Sequence, residues 1–79
     1  MTDSIQIKLN TVEKIERFNL DSMKFDCDIN VSKDKIMIDA KSIMGLMGMD
    51  FSRPVTAQIM SEDEKVCNLF LVTMQKYAN

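Results

Sequence analysis

Residues 40–49, AKSIMGLMGM, set the hydroxyl of Ser42 directly ahead of Ile43, Met44 and Met47. Two kinds of chemistry are open to a serine in that place. Its oxygen can accept a hydrogen bond from a backbone amide and so cap a helix. It can also take a phosphoryl group, adding about −1.5 to −2 charges beside an apolar surface. Thioether side chains suit a surface that adapts to different partners, and they equally suit gaps in a core. On residue types alone both readings stand for Met44 and Met47. Lys41 has two roles open as well, either flanking the helix start for solubility or contacting a phosphate.

The rest of the chain narrows the field by what it lacks. Histidine occurs zero times, which removes imidazole acid–base catalysis, histidine metal ligands and phosphohistidine together. Cys27 and Cys67 are too few and too far apart for a zinc site, and neither belongs to a CxxC pair. They read as small buried apolar groups. No nucleophile–base set, glycine-rich phosphate loop or convincing carboxylate pair is present, so no enzyme activity, metal or cofactor is expected. Glu13, Glu16, Asp26 and Asp28 read as a solvated acidic surface. A net charge of −2, with lysine and arginine scattered, argues against a nucleic-acid or anionic-membrane partner. No run approaches the roughly 20 apolar residues of a membrane span, and MTDSIQIKLN lacks the order of a secretory signal. The expectation is a cytoplasmic protein. Its 79 residues fit one domain, 1–79.

The elements that position these residues follow from periodicity. Ile5, Ile7 and Leu9 alternate with Gln6 and Lys8, which predicts a half-buried strand. Asn10 and Glu13 have capping-box spacing, with Val12, Ile15, Phe18 and Met23 as the apolar stripe of a first helix and Asn19 and Asp21 on its wet side. Phe25, Cys27, Ile29 and Val31 predict a second strand with an acidic outer face. SKDK is a turn, and IMIDA predicts a third strand closing a hairpin. A short helix over 42–47 stops at Gly48, and Val55, Ala57 and Ile59 mark a fourth strand. Ser61 and Glu64 form a capping box ahead of a last helix, whose inner face holds Val66, Leu69, Phe70, Thr73 and Tyr77. The order β-α-β-β-α-β-α predicts an α+β fold, an open-faced sandwich with a four-stranded sheet and three helices on one face. Gln6, Lys8, Asp26, Asp28 and Asn30 would line the open face.

This order, with Lys41-Ser42-Ile43-Met44-Gly45-Leu46-Met47 as the second helix, resembles the HPr family, the small phosphocarriers of the bacterial sugar phosphotransferase system. That segment is close to the one typical of Gram-positive members. Elsewhere the likeness is one of pattern, and it covers essentially the whole chain. The family's chemistry rests on a histidine at the start of the first helix, followed two residues later by an arginine and then a proline. Counting back from Phe25 puts Thr11 in the histidine's place and Glu13 in the arginine's. Counting forward from Leu9 puts Asn10 and Val12 there. In either register the nucleophile is missing, and neither hydroxyl nor amide forms the labile phosphoryl bond that imidazole makes.

The resemblance also implies what remains. In Gram-positive relatives the serine matching Ser42 is the target of a regulatory kinase. A relative that keeps the serine and lacks the histidine works only in regulation. Ile43, Met44 and Met47, with Lys41, match the patch that docks onto the kinase and onto a transcriptional regulator. The expected function is therefore a regulatory partner-binding protein, switched by phosphorylation of Ser42. The alternative is a structural or interaction module on the same scaffold, with Ser42 serving only as a cap.

Overall fold

The computed structural model describes residues 3–78. It contains strand β1 (Asp3–Ile7), helix α1 (Val12–Ser22), strands β2 (Ile29–Lys33) and β3 (Ile36–Asp39), helix α2 (Ile43–Met47), strand β4 (Val55–Ile59) and helix α3 (Glu64–Met74), which tightens into a 3-10 turn, Gln75–Tyr77. The four strands make one antiparallel sheet in the order β1-β4-β2-β3. The α+β architecture expected from the sequence is the one observed.

Alternation fixes which side of the sheet faces the helices. Ile7 pairs with Val55, Val31 with Ala57 and Ile29 with Ile59, and all six are buried. Phe18 of α1, Leu46 of α2, and Phe70 and Met74 of α3 close over them without measurable exposure. Edge-to-face ring pairs, Phe18 with Tyr77 at 5.8 Å and Phe25 with Phe70 at 6.0 Å, add geometric preference to the burial. On the other face Gln6 and Thr56 are paired neighbours, as are Asn30 and Gln58.

Several local expectations are overturned. The second strand begins at Ile29 and not at Phe25, so Asp26 and Asp28 lie in the connection ahead of it and not on the open sheet face. Val12 at the start of α1 and Met23 just past its end are exposed, whereas Asn19 and Asp21 are buried. The stripe expected from apolar residues turned because polar groups found partners inside. Asn19 Nδ2 donates to the Ala40 carbonyl at 3.0 Å, and Asp21 accepts from the Tyr77 hydroxyl at 2.7 Å and from Lys76 Nζ at 2.8 Å. Burial pushes the Asp21 carboxyl up, but the hydrogen bonds from Lys76, Tyr77 and Lys24 outweigh it and hold it below its ordinary value. The Tyr77 hydroxyl is pushed well up by burial and by that carboxylate.

The caps differ too. Thr11, not Asn10, caps α1. Asp63 caps α3, accepting from Lys65 N at 2.9 Å, while Ser61 Oγ accepts from the Asp63 amide and so sits outside the helix. Leu69 points to solvent, and Tyr77 reaches the core from the 3-10 turn rather than from α3 itself. Cys67 is buried and Cys27 half-buried, and both are free thiols. Burial, then the neighbouring Asp3 carboxylate, pushes the Cys67 thiol up. Among the described residues no helix is long and apolar enough to cross a membrane.

Candidate functional site

The start of α1 is built from polar side chains that engage one another. Thr11, in extended backbone, accepts from Lys14 N at 3.1 Å through Oγ1. Asn10 does not cap; its Oδ1 accepts instead from Lys14 Nζ at 3.1 Å. Glu13 does not fold back to complete a capping box, and its carboxylate lies 4.0 Å from Arg17 one turn on, with both side chains in water. Beside this helix start runs a shallow depression of about 280 Å³, lined by Leu9, Asn10, Thr11, Val12, Ile15, Met49, Phe51 and Ser52. Its rim holds hydroxyls and amides, and none of these groups is a strong nucleophile.

The start of α2 is arranged otherwise. Ser42 caps it, accepting from the Gly45 amide at 3.3 Å, and its side chain stays exposed. Leu46 is fully buried and is the residue that fixes this five-residue helix to the core. Met44 is 84% exposed, and Ile43 and Met47 are exposed as well, so the methionines here are surface and not filling. Gly45 brings the helix close to the sheet, since a Cβ there would lie 2.9 Å from Ile38 Cγ2. Gly48 has no such constraint, with only ordinary contacts around it.

Lys41 is half-buried, with Nζ donating to the Phe25 carbonyl. Its head group ties the entry of α2 to the connection after α1 and is not turned to the solvent above Ser42. Asn19, through Ala40, makes the second such tie. Sequence reasoning placed Asn19 in water because polarity was the only signal available there. Past α2, Asp50 accepts from Lys33 Nζ at 3.1 Å and from Ser52 N at 2.9 Å, which fixes the path into β4. The Ser52 amide and the Lys33 ammonium hold its carboxyl down to about 2.

The two helix starts lie on one scaffold, and comparison with known proteins identifies it. The family profile described as "PTS HPr component phosphorylation site" matches residues 10–68. The chain belongs to the HPr family. Proteins of this family are phosphocarriers of the sugar phosphotransferase system, not enzymes, and they interact with other proteins of that system. Two solved structures share the fold. One is the phosphocarrier protein HPr from Bacillus anthracis str. Ames, with a TM-score of 0.72 and 23% identity, over 100% of this chain and 96% of that one. The other is HPr-C-His from Thermoanaerobacter tengcongensis, with a TM-score of 0.69 and 24% identity, over 96% and 92% of the two chains. No curated protein matches the chain significantly.

Among the described residues no three His, Cys, Asp or Glu side chains are grouped to hold a metal ion. The two helix starts differ: the one at Thr11 mixes polar side chains with exposed Val12, and the one at Ser42 is apolar apart from the serine.

Proposed function

We propose that this member of the HPr family is a cytoplasmic, single-domain regulatory protein that binds protein partners and does not carry phosphate. The observation that carries this reading is the cap of α1. Thr11 stands there in a chain without histidine, with Glu13 two residues on where a cation would be needed. A phosphate ester on threonine is stable and not readily passed on, and a carboxylate nearby repels the incoming phosphoryl group. Asn10 offers no better acceptor.

What remains for the scaffold is recognition. Ile43, Met44 and Met47 form an adaptable apolar surface, and Ser42 lies at its border, exposed and reachable by a kinase. Phosphorylation of Ser42 would place a dianion beside that surface and change which partner it fits. Lys41 contributes by holding α2 in place. The partners this reading names are an HPr kinase and a transcriptional regulator. The capping bond from Gly45 to Ser42 favours a second reading, in which the serine is structural and the docking surface is not switched.

Incubation with phosphoenolpyruvate and the first enzyme of the phosphotransferase system should leave the protein unlabelled, and acid-labile phosphate on it would overturn the proposal. An HPr kinase with ATP should give one acid-stable phosphoserine that Ser42→Ala removes. Absence of label on the unaltered protein would select the structural reading of Ser42.

A further inference from the structure

The sheet has two edges, and they differ. The β1 edge carries Asp3, Ser4 and Gln6 among its residues, whereas the β3 edge exposes Ile36 (56%) and Met37 (64%). An edge strand with exposed apolar side chains and free backbone groups is a template for another strand.

The backbone phase at this edge follows from one bond. Ala40 N donates to the Ile29 carbonyl at 2.8 Å. Bonding alternates along an antiparallel ladder, so Ile38 and Ile36 share that inward phase. The amide and carbonyl of Met37 and the amide of Asp39 then point outward from the sheet. The Asp39 carbonyl is engaged by Ser42 N at 3.0 Å.

The residues 35–39, KIMID, complement their own reverse. An antiparallel pairing of two copies about a twofold axis at Met37 sets Lys35 opposite Asp39 twice, Ile36 opposite Ile38 twice, and Met37 opposite itself. The bonded positions in this register include Met37 and Asp39, whose amides face outward. Met37 and Asp39 pair with Ser32 and Asn30 on the open side of the sheet, and Ile38 pairs with Val31 on the helix side. Charges would therefore meet charges on one face, and isoleucines would meet isoleucines on the other. The β1 edge offers no such match, because its Asp3 has no basic residue in the same strand.

We propose that β3 is a homodimerisation edge, through which two copies of this chain join their sheets into one of eight strands, with Met37 on the twofold axis. The contact is narrow, so the dimer is weak and concentration-dependent.

Sedimentation equilibrium from micromolar to millimolar protein, with backbone amide NMR over the same range, tests this. The expected result is a monomer–dimer equilibrium, with the largest amide shifts at Met37 and Asp39. Met37→Lys places like charges opposite each other on the axis and should abolish the dimer. Lys35→Glu turns two attractive pairs repulsive and should weaken it about tenfold. Both side chains are exposed, so unchanged thermal unfolding would show that the variants still fold. A monomer at every concentration, a dimer that survives Met37→Lys, or shifts centred on α2 would each overturn the proposal.

Discussion

At the start of α1, Thr11 Oγ1 accepts from an amide three residues on at 3.1 Å; at the start of α2, Ser42 Oγ does the same at 3.3 Å. The local geometry is alike, and the surroundings separate the two. The first is followed by Glu13, Lys14 and Arg17 in an eleven-residue helix. The second has no charged residue among its five and exposes Met44 over a single buried anchor. A hydroxyl at a helix start thus decides nothing about function by itself. The exposed surface of α1 mixes charged residues with Val12 and Leu20, and that of α2 carries no charge at all.

The contrast is most sharply broken by removing the anchor. Leu46→Ala empties a fully buried position and should cost about 3 kcal/mol, as large-to-small core changes do. Denaturant unfolding measures it. Because Leu46 is the buried residue of α2, the variant should also lose amide protection across that helix before α1 is affected.

α1 has buried Ile15 and Phe18 and, in addition, a buried carboxylate. Asp21→Asn keeps the shape but loses the charge that Tyr77, Lys76 and Lys24 share, and should cost about 2 kcal/mol. The folded carboxyl is more acidic than the unfolded one. Its stabilisation is therefore complete above the unfolded value, near 3.9, and is lost as pH falls through the lower folded value. Acid titration of the unfolding free energy should show this loss in the parent and a flatter profile in Asp21→Asn.

Those two residues also mark how far the sequence could be read. Val55–Ile59 in β4 lies where period 2 places it, and Ser42 caps the helix whose spacing announces it, whereas the first strand runs Asp3–Ile7 and ends before Lys8 and Leu9, which the alternation includes. The element order predicts the α+β layers, and the family resemblance through residues 41–47 agrees with it. Asn19 and Asp21 were illegible because their burial depends on partners 21 and 56 residues away, the Ala40 carbonyl and Tyr77. Phe25 and Cys27 alternate like strand residues, yet their neighbours across the sheet end with the Ile29–Ile59 pair, so the ladder starts later. Caps shifted by a residue or two for a similar reason: Thr11 and Asp63 win over Asn10 and Ser61 once the chain's entry angle is fixed by packing.

The caps themselves give the next test. Thr11→Ala and Ser42→Ala should each cost about 1 kcal/mol. Aspartate separates the two starts. Ser42→Asp keeps a good cap and meets no acid in the first turn, so stability should hold or rise slightly. Thr11→Asp brings a carboxylate two residues from Glu13 and should gain less. Parallel thermal melts of the four variants measure the difference, and identical responses to aspartate would show that the surrounding charges do not distinguish the sites.

The smallest expected change in stability carries the largest expected change in recognition. Met44 is so exposed that Met44→Lys should alter folding by no more than about 0.5 kcal/mol. A lysine there puts a solvated charge at the centre of the apolar surface, and any partner that buries Met44 must then strip that charge of water without an acid to pair it. Titration of an HPr-family kinase with this protein, followed by surface plasmon resonance, should show binding lost in Met44→Lys and retained in Glu13→Lys at the other helix start. Were Glu13→Lys the one to lose binding, recognition would belong to α1, and the contrast between the two helix starts would run the opposite way.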